Sequence, residues 1–125
     1  DDLSGCQRQC VWVAMVLAQQ TPMLLLDEPT TYLDIAHQLE VLCLIGELVA
    51  LKNATVVAAL HDINQAARFA DNLVMMKAGA VMAAGPPADI ITPETIAEVF
   101  GISALVVPSP LDGAPLILPR HVRPA

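Results

Sequence analysis

The sequence has few positive charges and no long apolar run. Lys and Arg number 6 against 13 Asp and Glu, a formal net charge of −7. No basic stripe is available to neutralise phosphates, so we predict no nucleic-acid partner. No run approaches the roughly 18 apolar residues of a membrane-spanning helix, and no signal peptide is predicted at the start. The 3 cysteines lack a disulfide-framework spacing, which indicates a reducing compartment.

The chain is apolar for its length of 125 residues, with 55% hydrophobic and 15% charged residues. This composition predicts that more chain or a partner normally covers part of the apolar surface. The chain also begins at Asp1-Asp2-Leu3 without a methionine. We therefore expect a fragment of a longer protein.

Hydrophobic patterns in the first half predict alternating helices and strands. Ser4 and Gln7 have the spacing of a capping box for a first helix. The run from Met23 to Leu26 predicts a central parallel strand that is buried on both faces. Asp34 is a cap for a second helix. Thr55 to Leu60 predicts another buried strand, after which a third helix, ending near Asp71-Asn72, begins. The helix from Asp34 is expected to turn five side chains inward: Leu39, Leu42, Ile45, Leu48 and Val49.

Turn and cap residues organise the second half. Ala78-Gly79 separates two short apolar runs, Leu73 to Lys77 and Ala80 to Ala84, which predicts a hairpin. Thr92 is the predicted cap of a helix from Pro93 to Phe100, which ends at Gly101. Weak strands are predicted near Leu105 to Val107 and Leu116 to Leu118. The order of the predicted helices and strands along the chain indicates an α/β fold whose first strands are parallel.

Two adjacent carboxylates, Asp27 and Glu28, follow the apolar strand directly. Open α/β sheets bind ligands at the carboxyl ends of their strands. Asp27 is therefore a candidate to hold Mg²⁺, and Glu28 to orient and deprotonate an attacking water. The alternative is a charged strand end at the surface, but the three leucines before the pair and the Pro-Thr-Thr after it favour chemistry.

Two further positions suit phosphate chemistry. His61 follows the second strand, so it is expected to share a crevice with the two carboxylates and to donate to a phosphate or to the attacking water. Ser4-Gly5 at a helix start has phosphate-binding geometry. By its spacing alone, however, Ser4 is better explained as an ordinary helix cap.

Together these segments resemble the ATP-binding-cassette (ABC) ATPases. Leu3-Ser4-Gly5-Cys6-Gln7 is similar to the signature motif LSGGQ, and Leu24 to Glu28 to the Walker B strand. Tyr32-Leu33-Asp34 is similar to the D-loop, and His61 to the switch histidine. The resemblance implies the fold of the carboxyl-terminal part of a P-loop ATPase domain over residues 1–103, with an extension over 104–125.

The resemblance also implies roles for these residues in hydrolysis of ATP with Mg²⁺. Glu28 and His61 are the implied catalytic residues, and Asp27 the implied Mg²⁺ ligand. Asp34 is the implied D-loop residue at the nucleotide. In the family two ATPase domains sandwich ATP, so the signature residues would bind the phosphates held by a partner subunit. Those signature residues are Ser4, Gly5 and Gln7.

The sequence departs from the family pattern in four respects. It contains no G-x-x-x-x-G-K followed by Ser or Thr, so the phosphate-cradling loop is absent. The glutamine-containing loop that the family places before its signature is missing as well. Cys6 stands where the family has glycine, and a side chain there would crowd a close phosphate approach. Cys10 stands where relatives usually carry arginine. No neighbouring Cys or His completes a zinc site with Cys6 and Cys10. Cys43, inside an apolar helix, is predicted to be a core residue.

The segment Thr30 to Gln38 is similar to the ATPases of iron-siderophore and cobalamin importers. This resemblance implies permease subunits and a second ATPase subunit as partners, at the cytoplasmic face of a prokaryotic membrane. The first hypothesis is therefore the carboxyl-terminal part of an importer's ATPase subunit, inactive by itself. The second is a degenerate fragment without catalysis, acting at most as a binding module. A third, a cytosolic ABC protein of DNA repair or translation, is disfavoured by the acidic charge and the importer-like segment.

Overall fold

A computed structural model describes residues 23–122 of the chain, which fall into two compact units divided between His61 and Asp62. The predicted amino-terminal helix, the signature residues and Cys10 lie outside the described residues. Within residues 23–122, no helix is both long enough and apolar enough to cross a bilayer.

The first unit contains two parallel strands joined by a helix. Strand β1, Met23–Asp27, pairs in parallel with β2, Thr55–Ala59, so that Leu24 lies opposite Val56. Helix α1, Ile35–Lys52, connects them. The predicted parallel strands and the predicted helix between them are confirmed.

Strand β1 is buried on one face only, so the prediction of burial on both faces is wrong for this chain. Leu24 and Leu26 are 6% and 4% exposed, whereas Leu25 is 72% exposed. Successive side chains of a strand point to opposite faces, and the face that carries Leu25 is open. Strand β2 is likewise only half covered, with Val57 exposed. The sheet therefore presents an open apolar face.

Helix α1 packs one side inward around Val41 and Leu48, which are buried. The five side chains predicted to face inward are all buried or half-buried, which confirms that prediction. Cys43 is exposed, however, so its prediction as a core residue is wrong. At about 100° per residue, the position after the buried Leu42 already points away from the core.

The second unit consists of three helices and two antiparallel hairpins. Strands β3 and β4 form the first hairpin, and β5 and β6 the second. In chain order the elements are α2 (Ile63–Phe69), β3 (Leu73–Lys77), β4 (Ala80–Gly85), α3 (Pro87–Ile90), α4 (Pro93–Phe100), β5 (Ile102–Pro108) and β6 (Pro115–Val122).

Local signals set most boundaries in this unit. Ala78 and Gly79 both have positive φ, 51° and 79°, as a tight hairpin turn of this type requires. Thr92 caps α4 by accepting from the Thr95 amide, and Gly101 ends the helix with φ 70°. The predicted hairpin and helix are confirmed, whereas α2 ends at Phe69 instead of near Asp71-Asn72.

The core of this unit joins helix α4 to both hairpins. Ile96 is fully buried and packs in one cluster with Met75, Ala104 and Ile117. The strands predicted as weak near Leu105 and Leu116 are confirmed, and they are longer than predicted. The predicted division of the chain into residues 1–103 and 104–125 remains a prediction.

Asn64 ties helix α2 to strand β6 by two hydrogen bonds. Its side-chain amide donates to the Ile117 carbonyl at 3.1 Å, and its side-chain oxygen accepts from the Ile117 amide at 2.7 Å. We expect Asn64→Ala to lower the free energy of unfolding by about 1–3 kcal/mol, because both backbone groups lose their partner. Urea denaturation measures the change, with Asn72→Ala as the exposed control. Equal effects of the two variants would contradict this role.

Candidate active site at the end of strand β1

The chain turns sharply at the carboxyl end of β1. The Glu28 amide donates to the Ala59 carbonyl at 3.0 Å, which extends the pairing of the two strands by one hydrogen bond. Glu28 itself has φ 50°, a left-handed conformation that is costly for a residue with a side chain. Pro29 and Thr30 are buried directly after it. The Glu28 carboxylate is therefore carried on a fixed turn.

Glu28 and His61 are in contact. Glu28 Oε1 lies 2.6 Å from His61 Nε2, and with an ionised carboxylate the imidazole N–H donates. The Thr31 hydroxyl donates to the other oxygen, Oε2, at 3.3 Å. Side-chain exposure is 40% for Glu28 and 80% for His61, so water can reach the pair. Each carboxylate oxygen has a second lone pair, which leaves room to accept from a water.

Asp27 is the last residue of β1, and its side chain is exposed. Among residues 23–122, no group of three or more His, Cys, Asp and Glu side chains is arranged to hold a metal ion. A single exposed carboxylate still fits Mg²⁺, which keeps several waters and is often held by one or two carboxylates together with substrate phosphates. Asp27 thus suits a metal that a nucleotide brings with it.

Asp34 begins helix α1 and pairs with His37. Its Oδ1 accepts from the His37 backbone amide at 2.9 Å and lies 2.6 Å from His37 Nδ1. The predicted cap is confirmed. The backbone hydrogen bond from His37, reinforced by the imidazole, holds the pKa of the Asp34 carboxyl below its ordinary value of 3.8.

This lowered pKa predicts a loss of stability in acid. Because the carboxyl binds its proton less readily in the folded chain, its contribution is complete above its ordinary pKa and disappears as the pH falls through the lowered value. We expect Asp34→Ser, which keeps a cap without a titrating group, to lose less stability between about pH 5 and about pH 2. The midpoints of urea denaturation at both pH values measure this loss of stability. Glu40→Gln, on the same helix, is the control, and an equal acid loss in wild type and Asp34→Ser would contradict the prediction.

The side chain of Gln38, one turn into α1, reaches back to the loop after Glu28. Its amide nitrogen lies 3.0 Å from the Leu33 carbonyl oxygen and 3.4 Å from that of Thr30. Sequence reasoning missed the contacts of Thr31, His37 and Gln38. The available signal was the spacing of Asp34, His37 and Gln38, which places the last two in the first turn of a capped helix.

The structure brings together two of the predicted site residues, Glu28 and His61, and places Asp27 next to them in sequence. Asp34 lies at the other end of the same loop, at the start of α1. Ser4, Gly5 and Gln7 lie outside the described residues. The geometry positions the carboxylate, and the catalytic and binding roles of all these residues remain predictions.

Comparison with known proteins gives close relatives over nearly the whole chain. It is 48% identical over 119 residues to the ferric enterobactin transport ATP-binding protein of Escherichia coli (strain K12), covering 95% of this chain and 44% of that protein. It is 47% identical over 116 residues to the iron(3+)-hydroxamate import ATP-binding protein of Bacillus subtilis (strain 168), covering 93% and 43%. The chain thus spans less than half the length of these relatives. No family model matches it.

Solved structures give the same result for the fold. A metal-chelate type ABC transporter in an inward-facing conformation matches with a TM-score of 0.84 and 30% identity, over 95% of this chain and 48% of that chain. A dimeric ATP-binding cassette in a post-hydrolysis state, bound to ADP and Pi, matches with a TM-score of 0.60 and 37% identity, over 67% and 36%.

In sequence and in its α/β fold, the chain resembles part of the ATP-binding proteins of ABC transporters. The described elements are consistent with part of their P-loop ATPase domain. Within that class, its relatives are the ATP-binding proteins of siderophore, hemin and cobalamin import systems.

Proposed function

We propose that this chain supplies the water-activating part of an ATP-hydrolysing subunit that powers import of a metal chelate such as an iron-siderophore. The observation that carries the proposal is the 2.6 Å contact between Glu28 and His61 at the end of two parallel strands. The importer class is supported by the functions of the relatives, which include ferric enterobactin transport and iron(3+)-hydroxamate import.

In the proposed reaction, Glu28 accepts a proton from water as the water oxygen attacks the terminal phosphorus of ATP, and ADP leaves. His61 and Thr31 fix the two carboxylate oxygens, so the lone pair that takes the proton is held in one direction. Asp27 is the proposed Mg²⁺ ligand. When bound, Mg²⁺ would neutralise charge on the phosphates.

The proposed assembly includes a second ATPase subunit and permease subunits. This chain contains no phosphate-cradling loop, so it has no activity by itself in our proposal. Ser4, Gly5 and Gln7 would contact phosphates held by the other subunit, with Asp34 at the same interface. Contact with a permease would hold the protein at the cytoplasmic face of a bacterial or archaeal membrane.

Cys6 favours a second candidate, a degenerate chain that binds without hydrolysing ATP. A side chain replaces the glycine of the family signature there, and a thiolate at the predicted start of a helix would repel phosphate. Restoring glycine distinguishes the two candidates. In a chain completed with a phosphate-cradling loop, Cys6→Gly raises an activity that already exists under the first candidate, whereas under the second candidate the variant is needed for any activity.

A chimaera tests the importer proposal. The matched segment of the E. coli ferric enterobactin protein is replaced by residues 1–125, which adds the missing part from a relative. We expect this enterobactin chimaera to hydrolyse ATP and to restore ferric enterobactin uptake in cells that lack the native protein. The native protein and the Cys6→Gly chimaera are the controls. A stable chimaera that hydrolyses ATP without restoring uptake would contradict the importer assignment, and one that binds ATP without hydrolysis would favour the degenerate candidate.

A further inference from the structure

The loop from Glu28 to Asp34 is bent into conformations that its residues do not favour. Glu28 and Tyr32 both have positive φ, 50° and 67°, although neither is glycine. Such conformations persist only where surrounding contacts enforce them. Tyr32 is fully exposed, so packing of its own side chain does not hold its turn.

Backbone hydrogen bonds inside the loop are few and long. The Thr31 amide donates to the Glu28 carbonyl at 3.2 Å, and the Leu33 amide to the Thr30 carbonyl at 3.3 Å. These bonds close two consecutive turns but do not connect them to the helix that follows. Leu33 packs against the Val41 and Leu48 cluster of helix α1, and a polar connection between the turns and that helix adds to this packing.

The side chain of Gln38 makes that connection. Its amide group donates to the Leu33 carbonyl at 3.0 Å and lies within 3.4 Å of the Thr30 carbonyl, so one side chain spans the second turn. Gln38 is itself fixed, because its backbone amide donates to the Asp34 carbonyl at 2.9 Å in the first hydrogen bond of α1. It is half-buried, which limits competition from water.

We propose that Gln38 is a positioning residue for Glu28. By holding the Thr30 and Leu33 carbonyls against the rigid start of α1, it keeps the loop in the bend that points the Glu28 carboxylate at His61. Its effect on hydrolysis rests on the proposed function, whereas its effect on the loop does not. Gln38 acts on Glu28 through the loop backbone, by its contacts with the Thr30 and Leu33 carbonyls.

Amide hydrogen exchange in the full 125-residue chain tests the effect on the loop. Gln38→Glu keeps the length of the side chain but replaces its donor by an acceptor, which repels both carbonyls. We expect exchange of the Glu28, Thr31 and Leu33 amides to accelerate about tenfold, with the middle of α1 unchanged. The control is Glu40→Gln, which replaces a carboxylate by an amide two positions further along, on the exposed side of the helix. It should leave exchange of the loop amides unchanged.

Two outcomes would overturn the proposal. One is loop exchange in Gln38→Glu that equals wild type, and the other is acceleration spread evenly over loop and helix, which would mean general destabilisation. In the enterobactin chimaera, Gln38→Glu should lower kcat about tenfold and leave KM for ATP within about twofold, since Gln38 does not hold the nucleotide. A chimaera without any hydrolysis would refute the proposed function, while the exchange result would still decide the role of Gln38.

Discussion

Replacement of Glu28 by glutamine is expected to lower kcat for ATP hydrolysis by the enterobactin chimaera about 10²- to 10⁴-fold. The amide keeps the shape of the side chain, and its single oxygen can still accept from His61 or from Thr31, but the amide cannot take a proton from water. Binding of ATP should be retained, because in the proposed reaction Glu28 acts on the attacking water and not on the bound nucleotide.

A steady-state phosphate-release assay measures kcat, and fluorescent-nucleotide binding checks that the variant still binds ATP. Glu47→Gln, an exposed carboxylate on helix α1, is the matched control and should keep wild-type kcat. Hydrolysis by Glu28→Gln at the wild-type rate would mean that another group activates the water, and the mechanism proposed for the end of β1 would be wrong.

The second large effect is on stability. Ile96 is fully buried where helix α4 meets both hairpins of the second unit. Ile96→Ala removes three carbons from the centre of this cluster and leaves a cavity, so we expect a loss of about 2–5 kcal/mol in the free energy of unfolding.

Urea denaturation followed by circular dichroism measures this loss. Leu111→Ala removes a similar volume from a side chain that is 77% exposed, and it should change the free energy of unfolding by less than about 0.5 kcal/mol. If both variants unfold at the wild-type midpoint, the cluster around Ile96 does not stabilise the second unit.

Elements with local signals were predictable from the sequence. The caps at Asp34 and Thr92 and the left-handed end at Gly101 depend on residues within one helical turn, and all are present. The hairpin at Ala78-Gly79 has the same local character. Side-chain type therefore determined these boundaries without tertiary information.

Burial was less predictable, because it depends on what covers a face. An unbroken apolar run such as Met23 to Leu26 predicts a strand between two covering layers, yet Leu25 is exposed. Cys43 shows the same limit, since a small apolar residue inside a helix can lie on either side. Neither outcome can be inferred from residue type alone.

The order of strands placed Glu28 and His61 at the same edge of the sheet, but their contact depends on backbone conformation. A positive φ at a glutamate is unfavourable and has no sequence signal of its own. The spacing from Asp34 places Gln38 in the first turn of the helix, but its reach back to Thr30 and Leu33 depends on that bend. The residues that carry the proposed chemistry at this edge were thus predictable from the sequence, whereas the contacts between their side chains were not.

The central claim is that Glu28 and His61 act as one unit, and a double-mutant cycle in the enterobactin chimaera tests it most directly. Single-turnover hydrolysis is measured for Glu28→Gln, His61→Gln and the double variant. If the two side chains act together through their 2.6 Å contact, the double variant should be within about threefold of the slower single variant. A double variant slowed by the product of the two single effects would mean that the residues act independently, and would contradict the account.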